Sequence, residues 1–348
     1  MNNSSRFLDA LEGRRPDRVP FIPAIYEHKG WFVGKTPSRV CGDPDLLTKA
    51  MQAEYEEVRS DALVVGIDVY NVEAEAVGST VTYFGDDDIA IPAIGSEGAV
   101  LKEDMPVGSL KIPNPNSDGR MPVNLEVARR IVRELGGVVP VRGAISGPFS
   151  FGANLAGAEN FFLMTLSNPE RVHEILRFAV RVAAAYAHAF VEAGCGVIIF
   201  DSQSSSDLLS PKMYEEFVLG PTRDLIASVQ QLGVRHVPLI VGGNTTPILD
   251  LYIDTGANNI LCDATADGAA FLSECSKRKI AFRRNIDSTD FLTTTSEAVY
   301  GKARQFLEEA GGYPGFILGT GVVPYGTPSD RLIAARRAAE EMVKTRKN

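Results

Sequence analysis

Cysteine and histidine are scarce in this sequence, with four of each in 348 residues. Cys41, Cys195, Cys262 and Cys275 form no CxxC pair and no metal-ligand spacing, so the thiols read as reduced and structural. No apolar run approaches the roughly 18 residues of a membrane span, and the N-terminal MNNSSRFLDALEGRRPDR lacks the apolar core of a signal peptide. A cytoplasmic location is therefore expected. No strand-like segment leads into GxGxxG or GxxxxGK[ST], which leaves a nucleotide fold little support, and no repeat of solenoid length is visible. Positive charge is in deficit, 35 Lys and Arg against 44 Asp and Glu, for a net charge of −9. That balance argues against nucleic acid or an anionic membrane as a standing partner.

What is present is the composition of an ordinary globular protein, 45% hydrophobic and 23% charged. The length allows one large barrel or two medium domains. The stretch 237–250, VPLIVGGNTTPILD, organises the rest. Its apolar start reads as a buried strand that stops at Gly242-Gly243-Asn244. Thr246 is then a fair N-cap, with Pro247 in the first turn of a helix. In a parallel α/β protein the carboxyl end of a strand is where ligands bind. Bare backbone N–H groups and the Asn244 side chain are expected at that spot.

Around this stretch the chain alternates. Strands are expected at 19–26, 62–67, 138–145, 196–200, 237–241, 258–262, 279–283 and 315–318. Helices are expected between them, including 123–136, 168–194, 211–232, 246–255 and 295–310. A last helix, 328–345, leads into a basic end (Lys344, Arg346, Lys347) that suits the helix dipole. Eight short apolar strands alternating with helices predict a closed (β/α)8 TIM barrel, here one domain over 1–348. The Gly-, Pro- and Asp-rich region 79–122 reads as a β-hairpin insertion.

A barrel brings its strand ends to one mouth. Glu27, His28, Asp68, Asn71, Glu73, Asp201, Ser202, Gln203, Gly243, Asn244, Asp263, Arg284, Asn285, Asp287 and Thr320 are all expected there. Acids and amides in a concave mouth suit acid–base work, metal coordination or recognition of a polar substrate. The structural alternative differs by residue. Asp263, just before Thr265, reads as a cap of the next helix. Asp201 lies too far from residue 211 to cap there, and Asp68 and Glu73 share a long loop without a helix to cap. His28 is the one histidine placed at the mouth. His173 and His188 sit on helices, and His236 precedes its strand on the opposite face. Arg284 and Asn285 either lock the barrel floor or touch a ligand.

RRPDRVPF, GPFSFGANLAG, IIFDSQSSSDLLSP followed by MYEEFV, GGNTTPIL, RNID and ILGTGVVPYGTP resemble the uroporphyrinogen decarboxylase superfamily, in order and over nearly the whole chain. The resemblance implies the same barrel with its site in the mouth. The superfamily contains the decarboxylase and several corrinoid-dependent methyltransferases. The decarboxylase's arginine-bearing RQAGRY-type segment is replaced here by IYEHKGW, and its closing GHG by Gly319-Thr320-Gly321. The thiolate zinc ligands of the coenzyme M methyltransferases fall on Ile240, Gly242 and Thr320, so that zinc motif is absent.

GIDVYNVEAEAVG and YEHKGWFVGKTPS are similar to the first methyltransferase of anaerobic O-demethylase systems. This implies transfer of a methyl group from a small methoxylated donor, an aryl methyl ether, to the Co(I) of a corrinoid (cobalamin). The corrinoid is expected on a partner protein, because no DxHxxG motif is present here. The expected catalytic residues are His28, Asp68, Glu73 and Asp201. Substrate contacts are expected from Glu27, Asn71, Ser202, Gln203, Gly243, Asn244, Asn285 and Thr320. Whether a metal is bound stays open. A carboxylate–histidine zinc set of the kind this branch uses would fall on Asp201, Glu215 and His236, which a barrel places at opposite ends. The alternatives are a decarboxylase acting on a smaller substrate and a binding protein that kept the barrel.

Overall fold

The spaced apolar runs become eight parallel strands in the computed structural model, which describes residues 2–345. They are β1 (Phe21–Ala24), β2 (Leu63–Val65), β3 (Val141–Ser146), β4 (Gly196–Phe200), β5 (Pro238–Ile240), β6 (Asn259–Cys262), β7 (Ala281–Ile286) and β8 (Phe316–Val322). Every ladder is parallel, in the order β1-β8-β7-β6-β5-β4-β3-β2, so the sheet curls into the nearly closed (β/α)8 barrel that the alternation predicts. At the seam, the Asp61 N–H donates to the Phe21 carbonyl at 2.9 Å. The Asp61 carboxylate also accepts from the Phe21 N–H at 2.7 Å, Arg6 Nη1 at 2.7 Å and Arg18 Nη1 at 2.6 Å. The Arg18 of RRPDRVPF thus ties the barrel's amino end and takes no part in the mouth.

The amino end is plugged by the N-terminal helix Asn3–Leu11. Its Phe7, Ala10 and Leu11 pack on Ile22, Ala62, Ala281 and Ile317 of the barrel interior. Above that plug, Ala24, Val64, Ala144, Ile198, Phe200, Ile240 and Leu261 form a second apolar layer. Outer helices cover the strands from outside. The helix Pro44–Val58 starts as the sequence dictates, with Asp43 accepting from the N–H groups of Asp45 and Leu46 and Pro44 at its first position.

Four elements depart from expectation. The long loop expected to carry Asp68 and Glu73 contains a short helix, Val72–Val77, that holds Glu73. The helix expected over 211–232 is a short α-turn, a π-helical turn (Tyr214–Leu219) and an α-helix (Gly220–Gln231). The wide turn lies just before Pro221, which lacks the N–H that a continuous α-helix would use. The helix expected from 246 opens as a 3₁₀ turn (Thr246–Ile248), and Thr246 is not its cap. Asn244 Oδ1 instead accepts the Thr246 N–H at 3.1 Å. Within 79–122 no strand ladder forms among the described residues; one antiparallel bridge, Thr82 with Ala93, is all that remains of the hairpin pattern. Pro92 and the run of aspartates between them interrupt further pairing. The basic end of the last helix (Lys344, Arg346, Lys347) concerns side chains outside those described.

Candidate active site

Because strand side chains alternate, only every second residue near each carboxyl end points into the barrel. Tyr26, Phe200, Ser202, Ile240, Gly242, Leu261, Asp263, Arg283 and Asn285 do so and line a cavity of about 680 Å³ at the mouth. Its wall is aromatic on one side: Phe200 meets Tyr26 edge-on at 5.5 Å and Tyr70 at 6.1 Å. Residues 91–94 of the irregular insertion cover part of the opening. They are fastened by Asn71, whose Nδ2 donates to the Pro92 carbonyl at 2.5 Å. Asn71 therefore lines the cavity as expected and holds its cover.

The glycine turn after β5 is occupied rather than open. Gly242 N–H donates to Ser202 Oγ at 3.2 Å, Gly243 N–H to Asp263 Oδ2 at 2.9 Å and Asn244 N–H to Asp207 Oδ2 at 2.8 Å. The bare backbone donors expected there are thus satisfied by side chains. Gly243 has a φ of +79°, and a Cβ at that position would collide with Asp207, so glycine is required. Gly243 lines the cavity, while Asn244 is turned to its own loop and does not. Ser202, also linked to the Tyr70 hydroxyl at 2.6 Å, and Gln203 line it too.

The four residues expected to be catalytic separate. Asp68 does line the cavity, but both its oxygens face Arg120, at 2.7 and 2.6 Å. Glu73 is fully buried behind the wall and accepts from the Ser146 N–H at 2.6 Å; burial pushes its pKa up to about 7. Asp201 is also fully buried. It accepts from the N–H of Ser150 at 2.6 Å and Phe149 at 3.4 Å, capping the helix Pro148–Ala156 that follows β3. Burial raises its pKa to about 6. A cap on the following helix was rightly unavailable to Asp201; the helix it caps belongs to the preceding unit. His28 Nδ1 donates to the Pro324 carbonyl at 3.1 Å, and the ring packs on Phe32 outside the cavity. Burial pulls its pKa down to about 4, so the imidazole is neutral and holds no acidic proton for the mouth. Thr320 is likewise withdrawn, its Oγ1 accepting the Ala24 N–H at 3.0 Å.

The neighbour of His28 takes the position expected of the histidine. Glu27 lines the cavity, its Oε2 is buried without a hydrogen-bond partner, and desolvation raises its pKa. Asp263, expected as a cap, is an inward residue that bridges Gly243 and Asn285 Nδ2, the latter at 2.9 Å. Asp207 and Arg283 also line the cavity and were not singled out from the sequence. Strand periodicity held the signal for Arg283. β7 runs to Ile286, so Arg283 and Asn285 face inward, whereas Arg284 faces out over the Phe306 ring.

Among the described residues no three His, Cys, Asp or Glu side chains converge on one point to hold a metal. The set Asp201, Glu215 and His236 is dispersed. Asp201 caps a helix, Glu215 is exposed, and His236 accepts from Asn258 Nδ2 at 2.7 Å at the other end of the barrel. All four cysteines are buried and unpaired.

Fold and mouth together define a (β/α)8-barrel enzyme whose polar groups are mostly engaged with one another, with the carboxyl of Glu27 left unpaired at its buried Oε2. The chain belongs to the uroporphyrinogen decarboxylase (URO-D) family, whose model matches residues 2–342. It is 26% identical to the methylcobamide:CoM methyltransferase MtaA of Methanosarcina barkeri over 355 residues, 97% of each chain. It is 27% identical to the uroporphyrinogen decarboxylase of Cellvibrio japonicus over 353 residues, 94% of this chain and 93% of that one. A solved methyltransferase from Methanosarcina mazei shares the fold with a TM-score of 0.87 at 24% identity, covering 98% of this chain and 99% of the other. Among the described residues no helix is long and apolar enough to cross a membrane.

Proposed function

We propose that this protein is a corrinoid-dependent methyltransferase that demethylates a small methoxylated compound, an aryl methyl ether. The methylcobamide methyltransferases among its relatives support the reaction class. The observation that carries the reading is Glu27, whose buried Oε2 has no hydrogen-bond partner, on the lining of a cavity of about 680 Å³ with one aromatic wall. That volume admits a substituted ring with room to spare, and the aromatic wall of Tyr26, Tyr70 and Phe200 suits an aromatic one.

An ether oxygen leaves poorly unless it is protonated as the methyl group departs. Glu27 has the required properties: it lines the cavity, its buried Oε2 has no partner, and burial keeps its proton on at a higher pH than an exposed glutamate would. Ser202 and Gln203 supply polar contacts along the wall. A corrinoid presented by a partner protein would supply the cobalt nucleophile that accepts the methyl group. The apolar rim fits such a visitor, since Ile91 and Val322 line the opening and are 38% and 42% exposed. The partner's approach leaves the cover of residues 91–94 and the Glu27 wall to position the donor.

The test is the absorbance of cob(I)alamin mixed anaerobically with the protein and a panel of methoxyaromatic compounds. Loss of the Co(I) spectrum with at least one donor is expected. Identity to the decarboxylases at the same level supports a second reading, decarboxylation of a small carboxylate. Carbon dioxide release without any corrinoid, and no change in the cobalt spectrum, would establish that reading instead.

A further inference from the structure

Among the described residues four arginines are buried: Arg6, Arg120, Arg142 and Arg283. Three have evident partners. Arg6 holds Asp17 and Asp61, Arg120 holds Asp68 and Glu75, and Arg142 donates to the carbonyls of Val197 and His236. Arg283 is 4% exposed and its Nε is buried with no acceptor; no hydrogen bond or ion pair joins its guanidinium to any described residue. A guanidinium stays charged at any ordinary pH, and an unpaired buried charge is among the costliest things a fold can hold.

The position of this cation is specific. Arg283 lines both the mouth cavity and a small void beneath it, so it forms the floor. Room for it is built in: a Cβ on Gly319 of β8 would lie 2.6 Å from Arg283 Cδ and from Asn285 Oδ1. That explains the first glycine of Gly319-Thr320-Gly321 in packing terms. Asn285 Oδ1 is itself buried and unpartnered, an acceptor on the same floor. None of the cavity's acids forms an ion pair with Arg283, and four of the five hold other partners. Asp68 faces Arg120, Asp263 accepts from Gly243 and Asn285, Asp207 from Asn244, and Asp287 from Thr289. Glu27 is the remaining one, and no hydrogen bond or ion pair joins it to Arg283.

We infer that Arg283 binds a carboxylate on the substrate, so that the molecule enters anion first and leaves its reactive group towards the rim. The guanidinium fork matches a carboxylate in two-pronged geometry. Asn285 Oδ1 then accepts from a hydroxyl next to the anion. The inference rests on the reading of this cavity as the substrate site and narrows the methyl donor to an acid.

The test is calorimetric binding, without corrinoid, of 4-methoxybenzoate and its neutral counterpart 4-methoxybenzamide. Wild-type protein is expected to prefer the acid by about tenfold or more, the worth of one charge-assisted contact. Arg283→Gln is expected to abolish that preference and Arg283→Lys to keep part of it. Equal binding of acid and amide, binding of neither, or a preference that survives Arg283→Gln would each overturn the assignment. If Arg283→Gln does not fold, Arg283→Lys carries the comparison, a preference as large as the wild type's then overturning the assignment. Preferred binding of the acid with no loss of the Co(I) spectrum for any member of the methoxyaromatic panel would leave Arg283 in place and overturn the methyltransferase reading. Methyl transfer from the amide as readily as from the acid would do the reverse.

Discussion

The Asp201 carboxylate lies 2.6 Å from the backbone nitrogen of Ser150, at the head of a helix that belongs to a neighbouring strand–helix unit. It joins β4 to the helix after β3 and so fixes the spacing of two walls of the barrel. Asp201→Ala removes a buried cap and leaves two N–H groups without their acceptor. A loss of about 2 kcal/mol of stability is expected, measurable by urea denaturation. A variant that kept full stability but lost methyl transfer would return Asp201 to the chemistry.

Glu73 makes stability depend on pH. Its folded pKa of about 7 exceeds the 4.5 of an ordinary glutamate, so the native protein holds a proton that the unfolded chain releases. Its contribution is therefore complete below about pH 4.5 and is lost as pH rises towards 7. Glu73→Gln, which cannot titrate, is expected to remove a slope of about 1 kcal/mol per pH unit across that window. Denaturation midpoints of the two proteins at several pH values provide the check, and parallel curves would contradict it.

Glu27→Gln keeps the shape of the side chain and removes its acidic proton. A general acid contributes on the order of 100-fold or more to the rate, so kcat for methyl transfer is expected to fall by that order. Rising pH should also cut the wild-type rate as Glu27 ionises, whereas the residual activity of the variant stays flat through the same range. Single-turnover transfer to cob(I)alamin, followed against pH, measures both effects.

Asn71→Ala releases the Pro92 carbonyl and unfastens residues 91–94 from the mouth. A rise in KM of about tenfold, the worth of one hydrogen bond plus the freed loop, is expected, with a smaller change in kcat. A fall in kcat at constant KM would instead place Asn71 against the reacting atoms.

The architecture was legible because it repeats: eight apolar runs, each followed by an amphipathic helix, leave one economical arrangement. The mouth was legible only to within one residue, and one residue inverts the outcome. Glu27 faces the cavity and His28 lies behind it; Ser202 lines it and Asp201 does not. Arg284 drew attention, yet Arg283 is the inward residue, because β7 begins and ends two or three residues later than its apolar composition indicates. The engagement of Asp201 with Ser150 and of Glu73 with Ser146 joins residues 51 and 73 positions apart, and no local pattern announces such pairs. Asp43, whose partners are two and three residues away, was readable at once.

The Asp61 clasp, with Arg6, Arg18 and the Phe21 N–H around one carboxylate, sits at the end of the barrel remote from the chemistry. It holds the ring shut where no substrate ever passes. The rim of this barrel can therefore change residue by residue, as a lock is re-keyed without recasting its body.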